Sequence, residues 1–229
     1  MVFNLQGNII SENGEHWNGK KWFAYGTSLT SATMGKYVPF VTEFGGFITT
    51  NKGIVGGDLV SNRDVYNALM DSNDGKLTAD LITIEVGAND GGATLGTPLD
   101  MTNSTFCGSL NVCLKSILKT CPAQIVVMDS TRMRYPYNGS LSDPYELNDT
   151  TSGGFNYLER AEAIRKCAEA NGVYYIPFSA LGLGLYREQS GNLYNVDHIH
   201  QTELGGYNIA NGVWAYLKGI PLWHTSIPT

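Results

Sequence analysis

Three observations predict an α/β fold for this chain, a three-layer α/β/α sandwich built on a five-stranded parallel sheet. Short apolar runs alternate with stretches of helical period, which is how strands read when crossover helices cover both faces of a sheet. At 229 residues and 42% hydrophobic content, the chain suits one domain with a full core. Small and polar residues also gather just past three of the apolar runs, at the carboxyl edge where open parallel sheets bind ligands.

Taken in order, residues 1–20 are polar, rich in Gly and Asn and aperiodic, and read as an N-terminal arm or linker. The domain then runs over 21–229. Strands are expected over 21–25, 47–51, 81–86, 124–129 and 173–177. Phe106, Leu110, Leu114, Ile117 and Leu118 recur at helical spacing, as do Leu158, Ala161, Ile164 and Ala168. Asn171-Gly172 closes the latter helix. A last helix covers 202–218, ended by Gly219 and Pro221.

Composition excludes several classes. A formal net charge of −6 leaves no basic stripe for a phosphate backbone, which argues against a nucleic-acid partner. No run approaches the length of a membrane span, and the N-terminus lacks a basic-then-apolar leader. This slightly favours the cytoplasm unless the chain is a piece of a longer protein. Three Asn-x-Ser/Thr sequons, at Asn103, Asn138 and Asn148, then read as coincidence. Cys107, Cys113, Cys121 and Cys167 have no paired zinc spacing and read as small hydrophobes, with a disulfide involving Cys167 left open. Nothing in the sequence calls for a cofactor.

Chemistry concentrates in three places. Gly26-Thr27-Ser28 follows the first strand, Gly87-Ala88-Asn89-Asp90 follows the third, and Asp197-His198-Ile199-His200 precedes the last helix. Serine is a weak nucleophile until a base takes its proton, and that base needs a partner to fix its tautomer. Asp197 and His200, three apart, can project to one side and serve a distant Ser28 if the fold joins the chain ends. A serine in this place also serves as a helix N-cap. The rival base is His198, and a His-x-His pair can bind metal. The only other histidines are His16 and His224, both toward the termini, and Asp58 and Asp90 could contribute, which falls short of the usual three or four ligands of a catalytic metal site.

These blocks resemble the SGNH (GDSL-type) hydrolases over residues 22–217. Phe23-Ala24-Tyr25-Gly26-Thr27-Ser28-Leu29-Thr30 matches the first block, with Ser28 as nucleophile. Asn51-Lys52-Gly53-Ile54-Val55-Gly56-Gly57-Asp58 matches the second through Gly56. Ile84-Glu85-Val86-Gly87-Ala88-Asn89-Asp90 matches the third through Asn89, and Asp197 with His200 matches the last. The resemblance implies a flavodoxin-like strand order 2-1-3-4-5. It also implies a Ser28–His200–Asp197 triad and an oxyanion hole from Ser28, Gly56 and Asn89. One departure is plain: the family usually has aspartate before the serine, and this chain has Thr27. If Thr27 only fills a structural slot, aspartate there should change the rate modestly.

Two decoys fall away. Gly26-Thr27-Ser28-Leu29-Thr30 lacks the second glycine of a nucleophile elbow. Asp71-Ser72-Asn73-Asp74-Gly75 opens like a calcium loop, but Ile82 stands where glutamate is required, so it reads as a turn. A long loop after the fourth strand carries Arg132, Arg134, Tyr135 and Tyr137, with Tyr145, Phe155 and Tyr157 further on. These are candidate substrate contacts or surface packing. The expectation is a serine ester hydrolase that removes O-acetyl groups from a carbohydrate or small-molecule ester. The alternatives are a lipid or lysophospholipid esterase, a thioesterase, and a non-catalytic carbohydrate-binding protein of the same fold.

Overall fold

A computed structural model describes residues 2–3, 9–10, 14–130, 157–181, 193–197 and 199–222. Its centre is a sheet of five parallel strands: β1 (Lys21–Gly26), β2 (Ile48–Gly53), β3 (Leu81–Glu85), β4 (Gln124–Met128) and β5 (Tyr174–Ile176). Their order is β2-β1-β3-β4-β5, the order the resemblance implied. Register runs Trp22 beside Leu81, Leu81 beside Gln124, and Val126 beside Tyr174.

Period-two alternation sends β1 side chains to two cores. Phe23 and Tyr25 join Ile82, Ile84 and Val127 on one face, and Trp22 and Ala24 join Leu81, Val126 and Met128 on the other. The first face is covered by α2 (Asp64–Met70), α3 (Phe106–Thr120) and α4 (Tyr157–Asn171). The second is covered by α1 (Tyr37–Gly45) and α5 (Glu203–Leu217), which pack on each other. Layers on both faces explain why the central strands β3 and β4 are buried throughout. α3 and α5 begin at threonine caps, Thr105 and Thr202, whose hydroxyls accept the N–H of Gly108 and Gly205.

The segment before β1 is no detached arm from residue 14 onward. Trp17 is fully buried, and its indole N–H donates to the Leu217 carbonyl at 2.8 Å. His16 Nε2 lies 2.9 Å from the carbonyl oxygen of Ile220. An aperiodic sequence hides this, because the partners lie some 200 residues away. Val2–Phe3 pairs antiparallel with Ile9–Ile10. All four cysteines are buried free thiols, Cys107 and Cys167 facing each other between α3 and α4. The calcium-loop look-alike is a turn filled by the buried Lys76 ammonium, which donates to the Asp71 carbonyl and Asp74 Oδ1.

Candidate active site

β1 ends at Gly26, and residues 27–34 form successive tight turns, not a helix. Ser28 is therefore no helix cap: α1 begins only at Tyr37, after Lys36. The turn is tied by the N–H groups of Thr30 and Ser31, both donating to the Thr27 carbonyl, and by the Ser31 hydroxyl donating to the Ser28 carbonyl. Ser28 itself is 6% exposed.

The loop before α5 closes on itself in a similar way. Asn195 bridges Gln201, Val196 N–H donates to the His200 carbonyl, and Thr202 N–H donates to the Tyr194 carbonyl. Asn195 Oδ1 accepts the Asp197 N–H. Asp197 Oδ1 accepts the N–H groups of Ile199 and His200 at 3.1 and 2.8 Å, leaving Oδ2 to face His200 Nδ1 at 2.7 Å. The opposite ring nitrogen, His200 Nε2, lies 2.9 Å from Ser28 Oγ. Burial pushes the Asp197 carboxyl upward, but the His200 ring and the two backbone donors outweigh it, so its pKa is lowered. The fold thus joins Ser28, His200 and Asp197 in one hydrogen-bonded line across 172 residues of chain. His198 lies outside the described residues, and among those described no three metal-ligating side chains cluster.

The glycine and asparagine blocks end β2 and β3 at this same edge. Ile54 N–H donates to the Gly26 carbonyl and Gly57 N–H to the Ile54 carbonyl. Gly56 has φ +72° at the third position of that turn, the type II geometry that favours glycine. Its position is exposed, and a Cβ there would meet no protein atom within 4 Å. Of the two adjacent glycines, Gly57 already has its N–H engaged. The Asn89 amide donates to the Gly57 carbonyl at 3.0 Å, tying the two loops together.

Asp90 braces this arrangement: it accepts the Leu59 N–H at 2.8 Å and is 1% exposed. Burial, with Asp58 nearby, raises its pKa to about 7. Asp58 is engaged by the N–H groups of Asn62 and Arg63, so both carboxylates serve loop amides. Arg132, Arg134, Tyr135, Tyr137, Tyr145 and Phe155 lie outside the described residues, as does the side chain of Tyr157.

Sequence reasoning missed Glu85. It closes β3, is fully buried, and accepts from Thr27 and Thr30 beneath the Ser28 turn. Burial raises its pKa to about 7 against the pull of those three donors. The available signal was a carboxylate ending an otherwise uncharged run, Leu81-Ile82-Thr83-Ile84-Glu85.

No protein-family model matches the chain, and no curated protein is similar to it. Solved structures do resemble it. A Lactobacillus plantarum protein superimposes with a TM-score of 0.74 at 22% identity, over 87% of this chain and 97% of its own. An acetylxylan esterase from Geobacillus stearothermophilus matches with a TM-score of 0.63 at 14% identity, over 93% of this chain and 100% of its own. An α/β hydrolase from the Lake Arreo metagenome in Spain matches at 0.61 and 18% identity, over 88% and 96%. At such identities the likeness is one of fold: this chain carries the three-layer α/β/α architecture of that esterase and that hydrolase, the fold its SGNH-like blocks led us to expect.

Proposed function

We propose that the chain is a serine ester hydrolase that works through an acyl-enzyme and removes O-acetyl groups from a carbohydrate. The line from Ser28 Oγ through His200 to Asp197 carries the reading. In it, His200 Nε2 takes the Ser28 proton as Oγ attacks the ester carbonyl, and Asp197 holds the imidazole in the tautomer that leaves Nε2 open. The backbone N–H groups of Ser28 and Gly56 and the second N–H of the Asn89 amide receive the oxyanion. The first Asn89 N–H holds the Gly57 carbonyl. His200 then returns the proton to the departing alcohol oxygen, takes one from the water that attacks the acyl carbonyl, and gives it to Ser28 Oγ as the Oγ–acyl bond breaks and acetic acid leaves.

The carbohydrate part rests on the acetylxylan esterase among the structural neighbours and on the aromatic, polar loop carrying Arg132, Arg134, Tyr135 and Tyr137. These four are proposed as contacts to the sugar. Purified protein is assayed on p-nitrophenyl acetate and octanoate and treated with a serine-directed fluorophosphonate. Ser28 becomes labelled, acetate is preferred, and Ser28→Ala abolishes labelling and turnover. Full activity in folded Ser28→Ala protein refutes the mechanism. Preference for octanoate moves the reading to a lipid esterase, and loss in EDTA restored by zinc moves it to a His198/His200 metal site.

A further inference from the structure

Where SGNH-like sequences carry a carboxylate next to the serine, this chain has Thr27, and its structure supplies a carboxylate from the neighbouring strand. Glu85 Oε2 accepts three hydrogen bonds: from Thr27 N–H at 2.9 Å, Thr27 Oγ1 at 2.8 Å and Thr30 Oγ1 at 3.2 Å. Thr30 Oγ1 also lies 3.1 Å from the Tyr37 hydroxyl. The Thr30 hydroxyl has one proton, so when it serves Glu85 the Tyr37 hydroxyl donates to Thr30. The residues on both sides of Ser28 are thereby pinned to one oxygen atom. Gly26 makes the approach possible, since a Cβ there would stand 2.8 Å from Glu85 Oε2 and 2.3 Å from Thr30 Oγ1.

We infer that Glu85 is a positioning residue for Ser28: it replaces the missing neighbouring carboxylate and holds the turn from which Ser28 Oγ reaches His200. The inference rests on the ester-hydrolase reading of Ser28. Hydrogen bonds to an ionised acceptor are roughly twice as strong as neutral ones, so the grip depends on charge as well as shape. Burial drives the Glu85 pKa upward, the three donors draw it down, and Asp129 at the end of β4 adds to the rise. Tyr37, reached through Thr30, is the other titratable group on this network.

The geometry also reverses one sequence expectation. Thr27→Asp is no modest change, because it sets a second carboxylate against a fully buried one, and two such groups in contact cannot both ionise. Adding Glu85→Gln removes that conflict and returns a carboxylate to the serine's side of the network.

The experiment compares wild type with Ser28→Ala, Glu85→Gln, Thr27→Asp and the Thr27→Asp/Glu85→Gln double variant. It reads kcat and KM on p-nitrophenyl acetate, the fluorophosphonate labelling rate and Tm. Unlabelled, inactive wild type, or active Ser28→Ala, refutes the hydrolase reading without reference to Glu85. With that control passed, Glu85→Gln should lower kcat and labelling about tenfold at a KM within twofold of wild type. Thr27→Asp should lose activity or fold, and the double variant should recover at least tenfold over it. Glu85→Gln at wild-type rates, or a double variant no better than Thr27→Asp, overturns the inference. If Glu85→Gln alone does not fold, the double variant still decides.

Discussion

Asp197 divides its two oxygens between two tasks, one accepting backbone N–H groups and the other facing the imidazole. Replacement by asparagine separates them. The amide oxygen keeps the Ile199 and His200 N–H groups, and the amide nitrogen then confronts Nδ1 as a donor. The ring is forced into the tautomer that puts a proton on Nε2, toward Ser28. We expect Asp197→Asn to retain its Tm while kcat on p-nitrophenyl acetate falls about 10³–10⁴-fold. Stopped or steady-state assay beside a melting curve checks both halves, and a kcat within tenfold of wild type refutes the assignment. Asp197 and His200 were legible because their relation is local, three residues within one closed loop. Glu85 was not, because only the parallel register of β3 beside β1 brings it under Thr27.

Among elements, the central strands β3 and β4 were the easiest to read, since burial on both faces makes each a largely apolar run. α3 and α4 were readable from their period, and α5 from the Gly219 and Pro221 that end it. α1 carries Pro39 in its first turn and α2 is only seven residues long, so neither offers a full repeat. The segment around Trp17 was illegible for a different reason: its order comes from α5, not from its own sequence. Trp17→Ala removes a fully buried indole that meets Phe47 and donates to Leu217. A loss of about 3–5 kcal/mol in urea unfolding is expected. That is a large share of the roughly 5–15 kcal/mol of a typical domain. A loss below about 1 kcal/mol would show that the segment is dispensable.

At the scale of the whole molecule, Glu85 and Asp90 make stability depend on pH in an unusual direction. Both ionise in the folded chain at about 7, against ordinary values of 4.5 and 3.8, because burial penalises their charge. Between those limits the folded chain holds protons that the unfolded chain has released, so stability is greatest below about pH 4.5 for these groups and falls as pH rises to 7. Asp129, also raised by burial, acts in the same sense. Asp197 and Asp74, lowered, act oppositely but only as pH falls below their ordinary range. Unfolding free energy should therefore drop by on the order of 5 kcal/mol from pH 5 to 8, at about 1.4 kcal/mol per pH unit for each of the two groups up to pH 7. Denaturant titrations at several pH values test this, and a flat or rising profile contradicts it.

The line joining Ser28 to His200 has a temporal side. A ribosome releases the serine end of this chain long before the histidine, and the fifth helix, which anchors Trp17, follows later still. Until that last helix docks, Ser28 has no His200 beside it and the first core strand lacks its cover. On the proposed reading, the Ser28 hydroxyl therefore stays without its base until the segment carrying His200 has folded against it.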